Sequence, residues 1–241
     1  MPIPQLLAAV AASPSAWDKF SGFMSSIGTL LVKLTGGMGM TIAIFAITIV
    51  LSLPLGLIVS FGRMSKFAPL RFITKIYISI MRGTPLMLQI LVVYFGPYFI
   101  FGVSITPEYR FPAVIIAFVI NYAAYFAEIY RGGIESMEVG QYEAAEVLGF
   151  TKRQTFVKII LPQVFKRILP SVTNETITLV KDTSLAYAIG ILEMFTLAKQ
   201  YATNMASMMP YLAAAIFYYV FNYVVAIIME KIEKKMNYYT V

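Results

Sequence analysis

The sequence predicts an all-α polytopic membrane protein with about five transmembrane helices. Hydrophobic residues make up 59% of the 241-residue chain and charged residues only 13%, about half the charged share of a soluble domain. The apolar residues gather into long uncharged runs, several exceeding the roughly 20 residues that a helix needs to cross the hydrocarbon core. The basic residues cluster between those runs. A chain so poor in polar groups cannot cover a water-facing surface.

Residues 1–35 form an N-terminal segment expected to be extracytoplasmic or interfacial, and residues 36–241 the transmembrane domain. Residues 1–17 carry no charged side chain, and without a basic leader before the apolar stretch 6–12 no cleaved signal peptide is predicted. Residues 20–34 read either as an amphipathic helix on the membrane surface or as the first turns of the next span. Span one is the uncharged run 36–62, with Pro54 expected to kink it. A basic cluster follows: Arg63, Lys66, Arg71 and Lys75. Span two falls at about 76–101 and holds Pro85 and Pro97, so it should be broken or bent. Span three is 111–127, ending at Glu128, with Pro112 suited to its first turn. Span four, within 163–192, contains Asn174, Glu175, Lys181 and Asp182. It crosses only if its polar side meets protein or water, because ionisable groups are too costly against lipid. Span five lies within 200–229, followed by Lys231, Lys234 and Lys235.

The basic residues fix an orientation. Of the 19 Lys and Arg, only Lys19, Lys33, Arg110 and Lys199 fall on one side of this scheme. The positive-inside rule puts the other side in the cytoplasm, with the C-terminus inside and the N-terminus outside. The net charge of +7 therefore reads as topology and not as nucleic-acid binding.

The stretch 140–162, within a cytoplasmic loop spanning 137–170, differs from the rest. Residues 142–148 are good helix formers, and Gly149 suits the left-handed backbone that ends a helix. Thr151 with Gln154 spells a capping box for a second helix. Phe156, Val157, Ile159 and Ile160 give that helix an apolar side, and Pro162 is expected to end or bend it.

Within this loop Glu143, Ala144, Ala145, Gly149, Ile159, Leu161 and Pro162 stand at a spacing that resembles the cytoplasmic loop of permease subunits of ABC importers. Further stretches resemble the amino-acid branch of that family: Asn121 to Tyr125, Ala127 to Ser136, Arg82 to Pro85 with Gln89, and Lys181 to Leu185. The resemblance runs from about Met38 onward. It implies that the loop is a coupling helix docking on a separate ATPase subunit. It also implies a second permease copy, identical or closely related, an extracytoplasmic solute-binding protein, and an amino-acid substrate moved by alternating access through the cell membrane. No cofactor is expected on this chain, since ATP and Mg belong to the partner ATPase.

The residues themselves support no catalytic or metal site. The chain has no histidine and no cysteine, which removes the commonest general base and the commonest metal ligands. No phosphate-binding Gly-x-x-x-x-Gly-Lys loop is present. Asn121, Tyr125 and Glu128 share one face of span three at i, i+4, i+7. That stripe reads as a substrate-contacting face, or for Glu128 as a helix-end carboxylate paired with Arg131. Asp182, Thr183 and Ser184 read as acceptors and hydroxyls along a path, or as a helix cap and a surface pair with Lys181. The ionisable members, Glu128 and Asp182, are both acidic, which favours polar or basic amino acids over acidic ones. The alternatives are an uncoupled channel or ion-driven carrier using Glu128, Glu175 and Asp182, and a membrane-embedded enzyme or scaffold. The first does not explain the helix–Gly–helix loop. The second finds no convincing carboxylate pair.

Overall fold

The computed structural model describes residues 16–236, and among them every regular element is helical. α1 (Ala16–Arg63) is followed by α2 (Ala68–Gly83) and α3 (Leu86–Phe101). A 3-10 turn, Pro107–Tyr109, opens α4 (Arg110–Glu135). Next come α5 (Val139–Val147) and α6 (Lys152–Thr155), and α6 runs through a π turn (Phe156–Ile160) into α7 (Leu161–Asp182). A 3-10 stretch (Thr183–Ile189), α8 (Met194–Met205) and α9 (Met209–Met236) complete the described residues.

Three helices, α1, α4 and α9, are long and apolar enough to cross a bilayer, and α2 with α3 makes a fourth if the pair is one broken span. α7 occupies the position of span four and is too polar to join them on composition. The all-α polytopic class holds, while several boundaries move. Residues 20–34 continue α1 without a break, so they are the first turns of the same helix and not a separate surface helix. At 48 residues α1 is about 70 Å long, more than twice the roughly 30 Å hydrocarbon core. It runs on through Pro54. The absence of a leader at residues 6–12 concerns a segment outside the described residues.

Span two is broken as its prolines require, but only one of them breaks it. α2 and α3 meet at 111°, with Thr84 extended (φ −122°, ψ 146°) ahead of Pro85, the conformation a following proline imposes. Pro97 lies inside α3. The run 200–229 is also divided: Ala206 adopts a left-handed backbone at φ 46° and ends α8, and α9 alone forms the span.

α4 is the centre of the packing. Phe118, Tyr122 and Phe126 are completely or almost completely buried on it, with Ile44, Ile90 and Leu179 from neighbouring helices in the same core. α7 crosses α4 where Gly133 leaves no room: a Cβ there would collide with Ile168 Cγ2 and come within 3.3 Å of Val164. Small residues at such crossings let two backbones approach within a membrane. Gly133→Val should therefore separate α4 from α7 and lower stability by roughly 1–3 kcal/mol. The midpoint of thermal unfolding in detergent measures it, and an unchanged midpoint would refute the close crossing.

Candidate coupling loop and transport path

The loop after α4 is a compact knob whose corner is set by one residue. Gly149 has φ +79°. Its N–H donates to the Glu146 carbonyl at 2.9 Å, and the Phe150 N–H donates to Ala145 at 3.0 Å. These two bonds form the Schellman ending, which satisfies carbonyls that a helix end would leave bare. The next helix starts with both halves of the capping box in place. The Gln154 N–H donates to Thr151 Oγ1 at 3.3 Å, and the Thr151 N–H donates to Gln154 Oε1 at 2.9 Å.

Pro162 does not end this helix. The Leu161 N–H donates to the Phe156 carbonyl, one residue beyond the α-helical partner, in a π turn. In a regular helix the Pro162 ring would press on the carbonyl of Lys158; the wider turn opens the ladder there. The helix therefore continues from Lys152 to Asp182. Inside the knob, Ala145 and Ile160 are buried, and Ile159 packs with Met137, Val164 and Ile168. Facing outward are Glu143, Ala144, Val147 and Leu148, the last two 88% and 73% exposed.

The polar stripe on α4 divides among three environments. Asn121 is buried and does not line a cavity. Its amide donates to the Met81 carbonyl at 3.0 Å and to Gln89 Oε1 at 2.9 Å. Gln89 in turn donates to the carbonyls of Met81 (3.0 Å) and Thr84 (3.1 Å) and to Thr84 Oγ1 (2.8 Å). These two amides take up the carbonyls freed where α2 stops at Pro85. Asn121 is thus a structural residue of the bend, not a free substrate contact. The same geometry gives the Arg82–Pro85 stretch and Gln89 their place.

Glu128 is enclosed by arginines from three helices. Arg131 holds it through Nη2 at 2.6 Å and through Nε at 3.1 and 3.2 Å. Arg63 of α1 and Arg82 of α2 stand at 3.8 and 3.9 Å. Arg131 also pairs with Glu135. Of the two readings of Glu128, the geometry realises the pairing with Arg131 and adds two further cations. A carboxylate so neutralised is not a spare counter-charge for a cationic substrate. Tyr125 lies under Arg82, whose guanidinium carbon is 5.3 Å from the ring centre, a cation–π distance.

Asp182 accepts a hydrogen bond from Tyr122 at 2.7 Å and is half-buried at the end of α7. Thr183 is fully buried and donates to the Val180 carbonyl at 2.7 Å, while Ser184 donates to Lys181 at 2.8 Å. Thr183 therefore closes the helix end and offers nothing outward.

One feature escaped the sequence reading and a second was read only in part. Glu193 is fully buried as the cap of α8. Its carboxylate accepts from the Phe195 and Thr196 N–H groups at 2.6 Å each, from Thr196 Oγ1 at 2.8 Å and from Tyr218 at 3.0 Å. The single threonine three residues after Glu193, Thr196, was the available signal. The second is a stripe on α7: Arg167, Ser171, Asn174, Thr178 and Lys181 are all exposed at alternating four- and three-residue steps, a single face.

These features define a helical membrane transport component: broken spans, a polar membrane helix and an exposed helix–turn–helix knob. The family described as the binding-protein-dependent transport system inner membrane component matches residues 52–238, and the chain belongs to it. It is 36% identical over 208 residues to the L-cystine transport system permease protein TcyB of Bacillus subtilis (strain 168), covering 86% of this chain and 87% of that one. It is 35% identical to the arginine transport system permease protein ArtQ of the same organism, covering 83% and 91%. Among solved structures, an amino acid ABC transporter superposes with a TM-score of 0.77 at 30% identity, covering 88% of this chain and 96% of that chain. The chain is thus an amino-acid ABC transporter permease.

The enclosure of Glu128 has a measurable consequence. Glu128→Gln leaves Arg63, Arg82 and Arg131 facing one another, and should destabilise the protein. Arg131→Gln in the same chain should recover part of the loss. A double-mutant cycle on unfolding is expected to give a coupling of roughly 1–2 kcal/mol. Additive effects of the two substitutions would show that the pair is not coupled.

Proposed function

We propose that this permease imports polar or basic amino acids by alternating access, driven by a separate ATPase that docks on the knob at 140–162. The observation that carries the reading is the knob itself. Its ends are locked by the Schellman bonds at Gly149 and the capping box at Thr151, while Val147 and Leu148 stand almost bare. Apolar side chains held out on a rigid corner fit a protein partner better than water. Movement of that corner passes directly into α7, since α6, the π turn and α7 are one continuous helix. ATP and Mg belong to the partner, and this chain contributes no catalytic group.

The second permease copy is supported by the exposed face of α7. Arg167, Ser171, Asn174, Thr178 and Lys181 are too polar to meet lipid. A partner α7 across a water-filled path satisfies them. Of the six polar positions first assigned to substrate, Tyr125, Glu128, Asp182 and Ser184 remain partly accessible, whereas Asn121 and Thr183 are buried. Glu175 and Asp182 lie two turns apart on α7. An acidic pair, Glu175 and Asp182, rather than Glu128, supplies the counter-charge for a cationic side chain. The solute-binding protein would deliver substrate from outside, with the N-terminus outside and the C-terminus in the cytoplasm.

Three measurements test this. A cysteine at Thr151 should react only with reagent on the cytoplasmic side and one at Gly102 only from outside; labelling of both from one side would overturn the topology. Gly149→Val forces a β-branched residue into the left-handed region at roughly 1–2 kcal/mol, and Glu143→Lys reverses a charge on the exposed knob. Both should lower ATP-driven uptake into vesicles without reducing membrane insertion, and unchanged uptake in both would remove the knob as the docking element. With the solute-binding protein held constant, arginine and glutamine should be carried faster than glutamate. Asp182→Asn should narrow that difference; glutamate carried as well as arginine by the parent chain would reject the charge argument.

A further inference from the structure

We infer that the corner between α1 and α2 is a binding site for the headgroup of an anionic phospholipid. A cavity of about 550 Å³ opens there, lined by Arg63, Ala68, Pro69, Arg71, Phe72 and Lys75, within the range of small-ligand sites. No acidic side chain lines it. The sequence has no Asp or Glu anywhere between Asp18 and Glu108, so no carboxylate of the same stretch neutralises these cations. Arg63 leans toward Glu128 at 3.8 Å, but Arg71 and Lys75 form no ion pair among the described residues. Lys66 adds a further exposed positive charge on the connection.

The geometry distinguishes a lipid from a free anion. α2 buries only Ile78. Its inner side is held by Tyr77, whose hydroxyl donates to the Ile120 carbonyl of α4. Phe72, Ile73, Ile76 and Ile80 are 63%, 64%, 42% and 51% exposed at i, i+1, i+4 and i+8, a continuous apolar face that suits acyl chains. Arg71 and Lys75 are one turn apart along its edge, where long basic side chains reach a phosphate at the membrane surface. A phosphodiester between them, with its chains lying against the phenyl and isoleucine face, satisfies both halves of the helix at once. The site also touches the Glu128 cluster through Arg63, so an occupied headgroup competes with Glu128 for that guanidinium. This inference requires only that the chain lies in a membrane and is independent of the import reading.

The test is native mass spectrometry of the full-length protein, with its co-purifying chains, delipidated and titrated with phosphatidylglycerol or phosphatidylcholine. Phosphatidylglycerol should be retained and phosphatidylcholine not. Arg71→Gln with Lys75→Gln should weaken retention about tenfold or more, whereas Lys231→Gln with Lys235→Gln, the same charge removed from α9, should not. Equal retention of both lipids, unchanged retention in the α2 variant, or equal loss in the α9 variant would overturn the site. Displacement by soluble glycerol phosphate at similar concentration would show a free-anion site and overturn the lipid assignment. A photoactivatable phosphatidylglycerol headgroup on the unaltered chain gives a readout that no folding defect can imitate. Crosslinks within residues 63–75 are expected, and crosslinks confined elsewhere, including to a second permease or an ATPase surface, would refute the proposal.

Discussion

Inside a bilayer no water waits to accept a hydrogen bond, so each interruption of a helix must be repaired by the protein. The bend at Pro85 depends on that constraint. Breaking α2 from α3 frees the carbonyls of Met81 and Thr84, and the amides of Asn121 and Gln89 take them up. Asn121 also donates to Gln89, so the knot ties α2, α3 and α4 together at one point. Had these been apolar residues, the bend would leave bare acceptors in hydrocarbon, at several kcal/mol each. The 111° turn is therefore held by two side chains as much as by one proline.

The same logic repeats at the other breaks, with different donors and acceptors. Where α8 starts, the bare groups are N–H donors, and a carboxylate meets them: Glu193 accepts from two backbone amides and two hydroxyls. A buried charge is tolerable when it collects so many donors. At the knob a backbone turn at Gly149 ends one helix, and the Thr151 and Gln154 side chains start the next. Side chains from distant helices thus close the break at Pro85, whereas bonds within a few residues close the knob.

What the sequence made legible follows from this division. Local signals were read correctly because they act within a few residues. Gly149 needs only its own backbone, and Thr151 with Gln154 needs only one turn. The polar spacing on α4 was equally visible, but its purpose was not. Asn121 and Glu128 answer to groups 40 and 65 positions away, on α2 and α1, and no one-dimensional pattern shows that Arg63, Arg82 and Arg131 converge on one carboxylate. Of the two outcomes expected at Pro162, the helix end does not occur, for a related reason: that rule assumes a regular helix, and the π turn ahead of it changes the carbonyl it would meet.

The convergence on Glu128 also bears on how motion could pass through the molecule. α1, α2 and α4 each contribute an arginine to one carboxylate, and α4 carries both the Asn121 knot and, through Gly133, the crossing with α7. The knob is continuous with α7, and Tyr122 of α4 binds Asp182 at its far end. A displacement of the knob therefore reaches α4 at two places, the Gly133 crossing and the Tyr122–Asp182 bond, one near each end of α7. Packed helices with close backbone contact resist bending between such points, so α7 and α4 should move as a unit. α2, by contrast, buries a single residue. It is held to α4 by the Asn121 amide, the Tyr77 hydroxyl and the long contact of Arg82 to Glu128. The packing around α4 is therefore thinner along α2, beside the bend, than along α7.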